Sequence, residues 1–520
     1  MTRANWKTPS AIFLLTAALL LLLHGNLLVF TNDEGIILEP AQRMLGGARP
    51  YTDFFGYMSP GSYWLQSFVF RALGVTLWTG RLLVILDFSL QCALIYWLTA
   101  RLASLKAAVA VVLIFAGFQI ADPAFLTAQH RWDSATLALA GLCVAVCAIE
   151  RPKALWWAAS GALIAAASWC TPSMALVAAA VGFWLMVSRE RWKALGPFAG
   201  GLIAVTLLAV GALALTRSFG PFFQQMLWLR QNYSAVNVMP YGSVIGGYGS
   251  LLKDAAGPFE LAMRLLLIAC YALPAILPPA AMILWSVAMA RGTMPTPGRA
   301  PIQLLVLAML ALVATTFPRA DMMHLAFVAA LPYVLTGVFL SRSLPARATA
   351  YLAFAALAFA TLFAGNYFKG WATAGRLSSP IGRLRVPSEQ LPGVQGLLTN
   401  VRPGDSLFVY PYMPIDYFLT QARNPTRFAY LAPGMMTNRE ASETLAELQA
   451  RPPRWLLYLR VSREDFERVF PHGSNLNIRF ENIEDWLEKN YEPAEDPSVT
   501  VSGYRLWRLS PVAVSASARN

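Results

Sequence analysis

Long apolar runs, broken by short polar joints, fill the first two-thirds of the chain. A helix that crosses a bilayer needs about 20 mostly apolar residues, and somewhat shorter runs are tolerated. About eleven such runs stand out, near 11–30, 82–100, 107–121, 134–149, 154–170, 173–187, 196–216, 265–289, 302–317, 322–340 and 347–365. After residue 365 the pattern changes. DSLFVY (405–410), RWLLYLRV (454–461) and GYRLWRLS (503–510) read as strands. IDYFLTQ, REASETLAELQA (439–450), REDFERVF and FENIEDWLEKNY (480–491) read as helices. The pattern predicts a polytopic α-helical membrane module of about 11 transmembrane helices over 1–365 and a soluble α/β domain over 366–520.

Composition supports the division. Hydrophobic residues make up 57% of the 520 positions and charged residues 13%, about half the charged share of an ordinary soluble domain. Residues 1–365 carry 23 Lys+Arg and 12 Asp+Glu, against 18 and 16 in residues 366–520. The basic residues lie between apolar runs rather than together on one soluble surface, which argues against a nucleic-acid partner. All five cysteines lie in apolar segments. Cys143 and Cys147 are spaced i, i+4, but no His or carboxylate lies near them in sequence, so they read as packing residues. The tail has no Gly-rich nucleotide fingerprint. The first run lacks a small-residue cleavage site and is too long for a cleaved signal peptide.

Charge also orients the spans. With Arg3 and Lys7 in the cytoplasm, the inner joints carry Arg101, Lys106, Arg151, Lys153, Arg189, Arg191, Lys193, Arg291, Arg299, Arg342 and Arg347. The outer segments then hold Asp33, Glu34, Glu39, Asp53, Asp122, Asp133, Asp254, Glu260 and Asp321. Eleven crossings place the tail outside. The outer segments span about 31–80, 122–133, 217–262 and 318–321. The first reads TNDEGIILEPAQRMLGGARPYTDFFGYMSPGSYW, and long connections usually have a use. Ser59 can cap and Pro60 suits a first turn, so SYWLQSFVFRAL is expected as a helix lying along the membrane surface.

Two carboxylates, Asp33 and Glu34, open that segment, and Asp133 stands at the mouth of another span. A charge inside a bilayer costs at least about 2.5–3.5 kcal/mol, so carboxylates at span mouths suit a wet cavity. Their natural chemistry is transfer onto a hydroxyl. A positioned carboxylate takes the proton of the attacking alcohol, and the departing anion needs cationic support. Arg131 and Arg319 are expected at the same face, where either could hold a phosphate. His130, His324 and Asp321 are expected beside them. With Asp33 they could supply oxygen and nitrogen ligands to a divalent cation, the one cofactor the residues suggest. His24 reads as a packed residue inside the first span. Asp87 is expected near mid-membrane, paired or facing a cavity.

DEG, then PAQRMLGGARPYTDFF, then GYMSPGSYWL resembles the first outer loop of the bacterial GT-C glycosyltransferases. That group contains the dolichyl-phosphate-mannose protein mannosyltransferases and the lipid A aminoarabinose transferases. RWDS at the fourth span and YPYMPIDYFLTQARNPTRF in the tail share the resemblance. It implies an inner-membrane enzyme using a polyprenyl-phosphate-linked sugar as donor and an envelope acceptor, on the periplasmic side. Asp33 would be the catalytic carboxylate, with Asp133 and Glu34 also at the site and Tyr57 in the acceptor neighbourhood. Relatives often carry Lys-Pro-Pro where this chain has Met58-Ser59-Pro60, which implies that phosphate binding moves to an arginine or that the donor takes a different pose. Two rival readings are a lipid-linked sugar flippase, which would place its ionisable groups near the midplane, and a ligase moving a whole glycan.

Overall fold

A computed structural model describes residues 6–29, 31–120, 123–188, 191–241, 257–293, 296–470, 476–494 and 499–511. Arg3, Asp122, Arg189 and Asp254 lie outside the described residues. The helices are α1 Lys7–Leu23, α2 Asn32–Leu45, α3 Pro60–Leu73, α4 Leu77–Leu102, α5 Leu105–Ile120, α6 His130–Glu150, α7 Ala154–Cys170, α8 Ala175–Val187, α9 Leu195–Leu215, α10 Phe219–Val236, α11 Pro258–Ala290, α12 Thr296–Ala314, α13 Met322–Phe327, α14 Ala330–Ser343 and α15 Ala346–Thr373. Beyond them come strands β1 Gly375–Ser379 and β2 Gly382–Val386, helix α16 Leu391–Asn400, strand β3 Leu407–Tyr410, helices α17 Ile415–Thr420 and α18 Asn438–Ala450, strand β4 Trp455–Tyr458, helices α19 Arg463–Val469 and α20 Glu481–Asn490, and strands β5 Tyr491–Pro493, β6 Thr500–Val501 and β7 Tyr504–Leu509.

Most expected spans coincide with a helix. Among the described residues, five helical stretches can cross a bilayer by length and composition: Leu77–Leu102, His130–Glu150, Trp192–Leu215, Tyr271–Ala290 and Arg347–Thr373. Lys7–Leu23, Leu105–Gln119, Ala154–Cys170, Pro172–Val187 and Gly298–Ala314 are shorter and apolar. The run at 322–340 is not one helix. Asp321 caps α13 by accepting from the His324 backbone N–H, and the chain restarts as α14 with Pro332 in its first turn. Proline is tolerated there because its missing N–H would have no helical partner. Close approach within the body uses small residues. A Cβ on Gly161 would lie 2.1 Å from the Phe198 carbonyl oxygen, and one on Gly201 would lie 1.9 Å from that of Ala158, so α7 and α9 cross backbone to backbone.

The first outer segment differs from its expected form. Residues 32–45 are a helix, α2, rather than a loop. Ser59 stands at the start of α3, but its side chain makes no capping bond, so Pro60 alone sets that end. One face of α3 is buried against α2, α4, α6 and α7, while Leu65, Phe68 and Leu73 point outward.

The tail carries a mixed sheet in the order β3-β4-β7-β5, with β6 also on β7. Strands β3 and β4 are parallel, Leu407 opposite Trp455, and β7 runs antiparallel to β4 with Leu506 opposite Leu457. The β1–β2 hairpin and α16 were not expected from the sequence. The sheet's core does not stop at the tail. Leu28, and Ile36, Leu38, Phe55 and Tyr57 of the first outer segment, share one buried cluster with Val409, Phe418, Tyr430 and Leu456. At Gly35 the two parts touch backbone to backbone, since a Cβ there would lie 2.1 Å from the Ile415 nitrogen. Gln42 and Gln421 exchange amide hydrogen bonds at 2.8 and 3.1 Å, and Phe55 N–H donates to the Arg427 carbonyl at 2.9 Å.

Candidate active site

The position of α2 is set by a buried ion pair. Arg81, in the first turns of α4, donates from Nε to Glu34 Oε1 at 2.8 Å and from Nη2 to Glu34 Oε2 at 2.9 Å. Both side chains are fully buried. Arg81 Nη1 also reaches the carbonyls of His24, at 3.1 Å, and Leu27. One guanidinium therefore joins the end of α1, the start of α2 and the start of α4. Glu34 is thus not at a wet rim beside Asp33, as expected. It points inward, because α2 turns successive side chains about 100° apart.

Asp33 faces the other way and is open to solvent. Gln129 Nε2 donates to its Oδ2 at 3.3 Å, and the Tyr412 hydroxyl approaches its Oδ1 at 3.5 Å. Protein crowds the carboxyl on its remaining sides. This partial desolvation raises it above the ordinary carboxylate value, while Arg319 and Arg131 act in the opposite direction. Arg319 donates from Nη1 to Asn237 Oδ1 at 3.0 Å and from Nε to Asp321. His324 Nδ1 lies 2.6 Å from Asp321 Oδ1, and since a carboxylate only accepts, this nitrogen carries the proton. Burial alone would raise the Asp321 carboxyl, but the bonds from His324 and Arg319 outweigh it and hold it below its usual range. Burial and the nearby Arg131 charge keep the His324 imidazole below its ordinary value. Arg131 Nη1 is buried with no hydrogen-bond partner among the described residues.

The structure thus brings Asp33, Arg131, Arg319, Asp321 and His324 into one electrostatic neighbourhood. Tyr57 is buried in an adjoining aromatic wall, with Tyr430 at 5.5 Å and Trp228 at 6.5 Å between ring centroids. His130 borders the cluster, its Nδ1 2.7 Å from Thr171 Oγ1. Asp133 is elsewhere. It is buried on α6, accepts from Ser62 of α3 and bonds Asp87 of α4. The pair therefore joins three helices, α3, α4 and α6, rather than standing beside Asp33. Asp87 is thus paired with a neighbouring helix, one of the two arrangements expected for it. Met58, where relatives carry lysine, packs partly buried, and its carbonyl accepts from the Tyr51 hydroxyl at 2.7 Å.

Sequence reading missed Arg81, Gln129, Tyr412 and Asn237. Arg81 carried a signal, a basic residue at the mouth of the span at 82–100. Tyr412 lies in the tail and became a site residue only because the tail packs on α2. Among the described residues, no three His, Cys, Asp or Glu side chains gather as a metal-binding set. The Asp321 oxygens are committed to Arg319 and His324, and two guanidinium groups face Asp33. This donor set suits an anion better than a divalent cation.

The body thus combines apolar helices with a carboxylate and cationic groups in one neighbourhood. Residues 58–212 match the family model described as dolichyl-phosphate-mannose-protein mannosyltransferase. That match spans 155 of the 520 residues, so over this part the chain is similar to that family. The crystal structure of ArnT from Cupriavidus metallidurans bound to undecaprenyl phosphate shares the fold. It is 14% identical, with 85% of this chain and 88% of that chain covered at a TM-score of 0.54. The oligosaccharyltransferase AglB from Archaeoglobus fulgidus, in complex with an inhibitory peptide and a dolichol-phosphate, aligns more loosely. It is 12% identical, with 86% and 69% covered and a TM-score of 0.49. No curated protein sequence matches the chain.

Proposed function

We propose that this enzyme transfers a sugar from a polyprenyl-phosphate donor to a hydroxyl of an envelope acceptor, on the periplasmic face of a bacterial inner membrane. The observation that carries the reading is the solvent-open Asp33 carboxylate facing Arg131 and Arg319. The donor's tail stays in the bilayer while its head enters the pocket. Asp33 accepts the proton of the acceptor hydroxyl as that oxygen bonds the anomeric carbon. The bond from that carbon to the phosphate oxygen breaks, and its electron pair leaves with the lipid phosphate. A single displacement inverts the anomeric centre. The buried Nη1 of Arg131, without a hydrogen-bond partner among the described residues, supplies a donor for the departing phosphate, the role vacated by lysine at Met58. Arg319 is held in place by Asn237 and Asp321 and adds the second charge.

Asp33→Asn keeps the shape and removes the base. It should lower release of lipid phosphate by about 10²–10⁴ while the protein still folds. A rate like that of the wild type would overturn the assignment. A flippase would instead move intact donor across vesicles without releasing lipid phosphate.

A further inference from the structure

The hairpin that opens the tail carries charge on one face. Strands β1 and β2 pair antiparallel, with Arg376 opposite Arg385 and Ser378 opposite Arg383. Directly opposed residues share a face, so three arginines stand together on one side of the hairpin. The other side is core, where Leu384 and Val386 are buried in the cluster that joins the tail to the first outer segment. Like charges placed directly opposite destabilise a strand pair. No nearby carboxylate offsets them. Residues 366–388 hold Lys369, Arg376, Arg383 and Arg385 and no Asp or Glu. Arg376 and Arg383 are exposed and make no ion pair or side-chain hydrogen bond among the described residues. Arg385 is the fixed member. Its guanidinium stacks 3.7 Å from the centroid of the Trp371 ring, and its Nη1 donates to the Trp371 carbonyl at 3.0 Å.

The surroundings of this face are apolar. Helix α15 contains the stretch Arg347–Thr373, long and apolar enough to cross a bilayer, and β1 starts two residues after it ends. A hairpin so close to the end of a span lies at head-group depth, where aromatic side chains gather. Phe368 stacks on Trp371 at 5.6 Å and is exposed. At its other end the hairpin's turn rests on the start of α4, since Leu77 N–H donates to the Ile381 carbonyl at 3.1 Å. Leu73 and Trp78, beside that contact, are exposed as well. Exposed apolar side chains therefore flank the arginine face at both ends. The combination is complementary to a lipid, with acyl chains beside the aromatics and an anionic head group between the arginines.

We propose that the hairpin face formed by Arg376, Arg383 and Arg385 binds the phosphodiester head group of an anionic phospholipid, in the leaflet on the tail's side of the bilayer. Guanidinium forks match phosphate geometry, and an anion between Arg376 and Arg385 turns their repulsion into attraction. The lipid is a docking partner, and the inference stands independently of the role of Asp33. Strand β2 is also tied to the joint that positions α2. Arg385 N–H donates to the Asn26 carbonyl at 2.8 Å, and the Arg385 carbonyl accepts from Leu28 N–H at 2.7 Å. Between those two residues, the Leu27 carbonyl accepts from Arg81. Lipid bound to the hairpin therefore steadies the same joint that Arg81 and Glu34 hold.

The test uses the full chain in dodecyl maltoside, titrated with palmitoyl-oleoyl phosphatidylglycerol and, separately, with the neutral phosphatidylcholine of the same chains. Native mass spectrometry counts the lipids retained. Wild type should retain at least one phosphatidylglycerol more tightly than phosphatidylcholine, and should melt at a higher temperature with it. A basic side chain near an anionic head group contributes about fivefold in affinity, so Arg376→Gln/Arg383→Gln should weaken this binding by about tenfold or more. Its melting temperature in lipid-free detergent should be unchanged. Arg376→Lys/Arg383→Lys keeps the charge and should keep most of the preference. Arg151→Gln/Lys153→Gln removes the same charge from two exposed positions expected at the opposite membrane face. An equal loss in that control would reduce the effect to net charge and overturn the site, as would an unaltered affinity in the glutamine variant of the hairpin. Displacement of the lipid by inorganic phosphate would assign the face to a soluble anion and overturn the lipid reading.

Discussion

The Arg81–Glu34 pair offers the strongest test of how the site is positioned. Glu34→Gln keeps the volume and removes the charge that balances a fully buried guanidinium. Breaking a buried pair by removing one partner costs about 3–5 kcal/mol. The lower end applies here, because the His24 and Leu27 carbonyls still accept from Arg81 Nη1. Catalysis should suffer as well. Asp33 precedes Glu34 in the same helical turn, and a misplacement of about 1 Å can cost roughly 10²-fold in rate. Glu34→Gln should therefore melt well below the wild type in detergent and lose most of its lipid-phosphate release. The companion experiment is a double-substitution cycle with Arg81→Met and Glu34→Leu. If the pair couples, the double variant should recover about 0.5–3 kcal/mol relative to the sum of the singles. An additive cycle, or a Glu34→Gln enzyme with the wild-type melting point and rate, would show that α2 is held by something else.

Three further outcomes follow from other residues. Asp33 must be ionised to act, and desolvation raises its carboxyl, so activity should fall on acidification at a pH above the ordinary carboxylate range; Arg319→Gln removes a charge that lowers it, and should move the acid limb of kcat/KM to higher pH. Asp416 in α17 is buried, neither carboxyl oxygen has a hydrogen-bond partner among the described residues, and burial pushes it up to about 8. The folded chain then holds a proton that the unfolded chain releases near pH 4, so stability falls as pH rises from there to about 8, by roughly 4 kcal/mol at pH 7; the melting-temperature gain of Asp416→Leu over wild type should widen from pH 5 to pH 8, and a constant gap would refute this. Gly35→Ala should push α2 off α17, at a cost of about 1–3 kcal/mol or more, seen as faster proteolytic release of the tail.

The apolar runs alone pointed to a mostly helical body with several apolar helices, because burying a backbone in lipid leaves few alternatives to the helix. The alternation after residue 400 likewise placed β3, β4, β7 and their neighbouring helices, and the acidic dipeptide marked the start of α2. Helix α2 escaped notice because Pro40 and the surrounding glycines read as a loop, while its stability comes from packing on the tail. Sequence could not separate Asp33 from Glu34, since adjacent residues on a helix face different ways and only the tertiary partner decides which is buried. It equally could not divert Asp133 to Asp87 and Ser62, three groups from three helices. Tyr412 reaches Asp33 across 379 positions of chain. Such contacts depend on how α2, α6, α13 and the tail converge, and that convergence is fixed by tertiary packing around the Arg81–Glu34 pair and the shared core, rather than by any local pattern.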